Sequence, residues 1–304
     1  MISGVRYREI VQCVLICIEE AGITSLPVDP KIIASKANIG VTPWRPTTLG
    51  VSGFLMRVGQ EFGIGYSTAI SNKGFENFTI SHELGHYFLD GHPDAIFANG
   101  ADRHYSRSGF VSDDKHEREA DAFAAELLMP EKFFKDALRK SGAGFAAIQS
   151  LAESGRTSLV ATALRFVKST GDPVAVILSS GPAIEWCFVS NELAQCRGVY
   201  TLGKGSPLPS SGATAQFNRD ASKIQRADRV ETFCSLRDWF ERAPYVEFQE
   251  DVVGLGHYGK TLTVLFTEEA LNDEDEAEEE EDDAESGLPS SRWRRRDRTR
   301  RGYE

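Results

Sequence analysis

The pentapeptide His82-Glu83-Leu84-Gly85-His86 constrains this chain more than any other stretch. Two histidines four residues apart share a face on a helix, where both imidazoles can reach one ion. The neighbouring Thr79, Ile80, Leu84, Gly85, Tyr87, Phe88 and Leu89 carry no charge. That suits a helix buried beneath a cleft better than a surface helix with two solvated histidines. The segment predicts a helix from about Phe78 to Leu89, stopped by Asp90-Gly91 and then Pro93. Imidazole suits zinc, and hydrolytic zinc keeps three protein ligands and one open position. Glu83 lies where it can face a water in that position without being a ligand itself. The expectation is hydrolysis, with His82 and His86 holding Zn2+ and Glu83 acting as general base.

A third ligand must come from elsewhere, because His92 follows the helix stop too soon to turn back easily. The segment HEREADAFAAELLMP offers Glu117 and Glu119. Its buried stripe is Ala120, Phe123 or Ala124, and Leu127. Glu117 lies on the core-facing flank of that stripe, and Glu119 is rotated from it by about 200° and points away. Glu117 is therefore the expected ligand. Asp121, one turn later, is placed to hydrogen-bond a ligand imidazole. His92, His104 and His116 read as solvated or structural histidines. An oxyanion partner is still required, and Tyr87, His92, His104 and Tyr105 are the candidates.

With 304 residues the chain has room for two or three domains. No run of eighteen apolar residues predicts a membrane span, and Val11–Ile18, followed by Glu19 and Glu20, does not read as a signal peptide. The five cysteines are odd in number and scattered, so a cytoplasmic, disulfide-free protein is expected. Of the net charge of −11, the segment 272–304 with its 13 acidic and 7 basic residues supplies −6. Its carboxylate run and the arginines around Trp293 predict a solvated, disordered tail rather than a nucleic-acid site.

Helices are expected at residues 5–21 and from Asp29-Pro30 through Ala37, then extended segments at Gly40–Trp44, Gly53–Val58 and Phe62–Ser67. Gly91 to Ser112 reads as a loop of more than twenty residues, a length that tends to be functional. A helix follows from Asp113 or Asp114 to Met129, ended by Pro130. Helices at Glu131–Ser141, Phe145–Ser154 and Ser158–Lys168 include the spacing of a helix-turn-helix, FAAIQSLAESGRTSLVATALRF. The 40 residues from Glu131 to Thr170 hold seven basic and three acidic side chains. DNA binding is therefore possible, through Thr162, Arg165 and Lys168, though a helical hairpin packed on the rest of the chain would look the same. Strands are expected at Val174–Leu178, Ile184–Val189, Val199–Leu202, Tyr245–Gln249 and Thr261–Phe266, with a helix around Ser235–Arg242.

FENFTISHELGHYFLDGH followed by EREADAFAAELLMP resembles the ImmA/IrrE family of zinc metallopeptidases. The family's E-x-x-A-x-x-F-A helix corresponds here to Glu117, Ala120, Phe123 and Ala124. The resemblance implies an α+β chain in the three-part, IrrE-like arrangement. Its parts would be a zincin-like metallopeptidase domain (1–130), a helix-turn-helix domain (131–170) and a GAF-like sensor domain (171–271), before the tail (272–304). It also implies a cytoplasmic protease whose protein substrate is a helix-turn-helix repressor, cut to release stress-response or mobile-element genes. The alternative from another class is a DNA- or ligand-binding regulator with a structural or sensory zinc site. Glu83 argues against it, since a structural site has no use for a carboxylate beside open zinc.

Overall fold

Local signals in the sequence set the first elements. The computed structural model describes residues 2–46, 48, 50–70, 72–107, 113–269 and 271, so the tail expected at 272–304 lies outside the described residues. Ser3 Oγ accepts the Arg6 amide hydrogen at 3.2 Å and opens helix α1 (Gly4–Glu20), whose Ile10, Val14, Cys17 and Ile18 face inward. Asp29 caps α2 (Pro30–Lys36) in the same way. Strands β1 (Gly40–Trp44), β2 (Val51–Val58) and β3 (Glu61–Ser67) precede α3 (Lys73–Phe88). This helix starts five residues before the expected Phe78, because Asn72 Oδ1 accepts the Phe75 amide hydrogen at 3.1 Å and caps it there.

Next come α4 (His92–Ile96), β4 (Arg103–Arg107) and α5 (Lys115–Leu128). The expected loop Gly91–Ser112 is thus corrected: it contains a short helix and a strand. β4 was hidden because only Ser106 of its five residues is buried, so no apolar alternation announces it. The first sheet runs β1-β3-β2-β4, with β1 parallel to β3 and the other pairings antiparallel. Ile10, Val14, Leu55, Ile64, Ile80, Leu84 and Phe123 form the core between this sheet and α1, α3 and α5.

Three helices follow, α6 (Glu131–Leu138), α7 (Gly144–Gly155) and α8 (Leu159–Val167). A second, wholly antiparallel sheet is built from β5 (Val174–Ser180), β6 (Ala183–Val189), β7 (Arg229–Ser235), β8 (Glu247–Gly254) and β9 (Thr261–Phe266) in the order β6-β5-β9-β8-β7. Short helices α9 (Asn191–Ala194), α10 (Ala213–Asn218), α11 (Ala221–Gln225) and α12 (Leu236–Trp239) lie between its strands. The strand expected at Val199–Leu202 is irregular chain, while β7 went unseen because Arg229, Glu231 and Phe233 all sit on its exposed side.

The helical segment does not stand apart from this sheet. Leu128, Phe134, Phe145, Ile148, Phe166 and Val167 share one core with Val174, Val176, Leu262 and Val264. Two of the three side chains expected to read bases are drawn into the packing. Thr162 is fully buried and donates to the Ser158 carbonyl at 2.9 Å. Arg165 makes two hydrogen bonds to Glu126, at 2.8 and 3.1 Å, and Lys168 lies over the Phe188 ring. The chain is an α+β protein, and none of its described helices is long and apolar enough to cross a membrane.

Candidate metal centre

Helices α3 and α5 meet at Gly85. A Cβ there would lie 3.0 Å from the Ala120 Cα, so the small residue lets the two backbones approach. That approach brings Glu117 against the pair of histidines. His82 Nε2 lies 3.1 Å from His86 Nε2, and each is 3.3 Å from an oxygen of Glu117. The three ligand atoms lie within 4.8 Å of one another. His82 Nδ1 is 2.9 Å from Asp121 Oδ1. A carboxylate only accepts, so Nδ1 carries a hydrogen, and Nε2 is the nitrogen turned to the cluster. The two Nε2 atoms and the Glu117 carboxylate thus converge as a set that fits a cation.

Glu83 is fully buried one residue along. Among the described residues neither of its carboxylate oxygens has a hydrogen-bond partner. Burial pushes it up to about 7, and the charges of His82 and His104 only soften the effect. Ser106 on β4 eases it too, but without a hydrogen bond of normal geometry. Gly53 on β2 makes room for this arrangement. A Cβ at that position would come 2.5 Å from Thr79 Cγ2 and 3.0 Å from Glu83 Oε1.

Residues 71–166, which carry all of these groups except Gly53, match the family of IrrE N-terminal-like domains. The chain thus carries an IrrE N-terminal-like domain. The radiation response metalloprotease IrrE of Deinococcus radiodurans is 27% identical to it over 158 residues, a stretch covering 46% of this chain and 46% of that protein. The aligned part thus spans about half the length of that relative. Among solved structures, a Mycobacterium tuberculosis transcriptional regulator superposes with a TM-score of 0.51 over 85% of this chain and 76% of that one. At 14% identity this is a likeness of fold.

Within this domain the four oxyanion candidates separate. His104 Nε2 lies 2.8 Å from Glu117 Oε1, and its ring is 4.8 Å from that of His86. Tyr105, its neighbour on β4, points the other way and packs against Trp44 and Phe54. Tyr87 packs on Phe62 and Phe88. His116 is turned towards Asp114 and the ring of His92.

His92 requires a correction, since it does turn back. Gly91 adopts a left-handed φ of 78° and reverses the chain, leaving His92 fully buried against the far nitrogen of His86. Glu119 faces away from His82 and His86 but into the protein, where it is only 1% exposed. It meets Arg6 at 2.8 Å and His92 at 3.1 Å. Nothing in the sequence linked Arg6 to this region, because the pairing spans more than a hundred residues. A buried-stripe argument on α5 also has no way to anticipate that α1 covers its opposite flank.

Proposed function

We propose that the protein is a zinc-dependent regulatory endopeptidase that cleaves a helix-turn-helix transcriptional repressor, derepressing stress-response or mobile-element genes. Under this reading His82, His86 and Glu117 hold the zinc and Glu83 is the catalytic base. The observation that carries it is Glu83 itself: a buried carboxylate without a partner among the described residues, beside a His-His-Glu cluster that fits an ion. Held by His82, His86 and Glu117, a divalent ion would supply Lewis acidity towards the scissile carbonyl and the attacking water. Glu83 accepts the proton of that water and delivers it to the leaving amine. His104 is offered as the donor to the oxygen that gains negative charge.

A peptide substrate suits the surroundings. β4 is the edge of its sheet, and its outer side carries no further strand among the described residues. An extended peptide can pair with such an edge through its backbone. We read residues 1–130 as the zincin-like peptidase part, 131–170 as a helix-turn-helix part and 171–271 as a GAF-like sensor. A repressor substrate puts the working compartment in the cytoplasm, in keeping with five free cysteines.

The test incubates wild type and Glu83→Gln with a candidate helix-turn-helix repressor and follows fragments by mass spectrometry, with and without chelator. Wild type should cut and the variant should not. Equal cleavage by both would refute the catalytic role. No cleavage by either, together with specific DNA binding, would favour the regulator with a structural zinc.

A further inference from the structure

Only one of the two ring nitrogens of His86 faces His82 and Glu117. The other, Nδ1, lies 3.3 Å from Nδ1 of the fully buried His92. On the far side of that ring, His92 Nε2 lies 3.1 Å from Glu119 Oε2. The same oxygen accepts from Arg6 Nε at 2.8 Å, and Lys115 Nζ is 3.5 Å from the other. Arg6 also donates to the Asp90 carbonyl, just past the end of α3, at 3.2 Å. An imidazole, a carboxylate and a guanidinium therefore stand in a row behind His86.

Counting hydrogens leaves one arrangement. A metal-bound imidazole gives the lone pair of one nitrogen and keeps its hydrogen on the other. With Nε2 turned to the ion, His86 carries its hydrogen on Nδ1 and donates it to His92 Nδ1. That nitrogen accepts, so the hydrogen of His92 is on Nε2 and is donated to Glu119. Glu119 only accepts, and Arg6 meets its charge. A buried Arg6–Glu119 pair alone would account for the fold of α1 on α5. It does not account for an imidazole inserted between that pair and a ligand.

Resting on the metal-site reading above, we propose that His92 and Glu119 are positioning residues. They fix the tautomer and ring angle of His86 and tighten zinc binding, and Arg6 ties this row to α1. His82 is served differently, by Asp121 directly. The two imidazoles of the cluster are thus oriented by separate carboxylates, one in direct contact and one acting through a second ring.

Spectra of the zinc-loaded full chain, labelled with 15N-histidine, read the arrangement without any substitution. They should show hydrogen on Nδ1 of His86 and on Nε2 of His92; hydrogen on Nδ1 of His92 overturns the proposal. Zinc affinity, measured by competition with a chromophoric chelator, should fall about 10–100-fold in His92→Phe and Glu119→Gln. His92→Gln, whose amide can accept from His86 and donate to Glu119, should stay within about threefold of wild type. A merely structural role gives the opposite pattern: the thermal midpoint of the metal-free variants falls while zinc affinity stays. The spectra and Glu119→Gln decide the matter even where His92→Phe does not fold. Unchanged zinc affinity in the folded variants overturns the row and leaves the metal site standing. Failure of wild type to bind zinc overturns the metal site itself.

Discussion

Glu83 and His82 are the side chains whose chemistry is easiest to isolate. Glu83→Gln keeps the size of the side chain and removes the base. It should keep zinc close to one per chain by elemental analysis while cleavage falls by a factor of about 10² or more. His82 gives a prediction about protons. Burial opposes its charging, but Asp121 and Glu117 outweigh burial and hold it protonated up to about 10 when no ion is present. Zinc needs the lone pair on Nε2, so binding at pH 7 must expel that proton. Affinity should therefore rise with pH, by up to about tenfold per unit between pH 6 and 8. Calorimetry in two buffers of different ionisation enthalpy should show at least one proton released, with part of another from Glu83; a binding heat independent of buffer contradicts this. At this scale much was legible in the sequence. The four-residue spacing of His82 and His86 and the side of the stripe on which Glu117 lies follow from helix geometry alone. The role of Gly53 was not legible, because its tight space comes from Thr79 and Glu83 on a different element.

The helices and strands were legible where they carried an apolar period, as in α1 and α5, and lost where they did not. α4 depends on a left-handed glycine and β4 on backbone pairing to β2, with Leu55 opposite His104. Neither leaves a mark in hydrophobicity. How elements lock together yields two predictions. Gly53→Ala drives a methyl into Thr79 and the Gly65 carbonyl, whose oxygen would be 2.9 Å away. The expected cost is about 1–3 kcal/mol, read as a lower thermal midpoint; an unchanged midpoint would show that α3 can lift from β2 freely. Glu126 joins three helices, accepting from Arg165 on α8 and from the Tyr7 hydroxyl on α1. Glu126→Ala leaves the largely buried Arg165 without its carboxylate and should cost about 3 kcal/mol. Chemical denaturation checks it, and a loss below about 0.5 kcal/mol would mark the pair as no more than a surface contact.

At the level of the whole molecule, apolar surface crosses the positions where the sequence changes texture. Leu128 closes α5 yet belongs to the core that includes Val174 and Leu262. Pro130 and Gly171-Asp172-Pro173 mark where the chain turns, but a turn does not say which face the next helix will cover. A chain ended at residue 170 would strip Phe145, Phe166 and Val167 of the sheet beneath them. It should lose a sharp thermal transition and bind a hydrophobic dye; a transition as steep as that of the full chain would show that the helices need no sheet.

The first turn of α3 has a further consequence. A Cβ on Gly74 would meet the Ser158 nitrogen at 2.7 Å, and Asn77 Nδ2 donates to the Arg156 carbonyl at 3.2 Å. The helix bearing His82, Glu83 and His86 is therefore seated, at its opposite end, on the turn between α7 and α8. From Gly74 to His86 the helix acts as a lever about 18 Å long. Swinging it by about 3° about that seat moves the imidazole of His86 by about 1 Å, a displacement able to change a rate about 100-fold. Since α8 lies on the second sheet, a small shift of that sheet, transmitted as a tilt, is enough to detune the distant histidines.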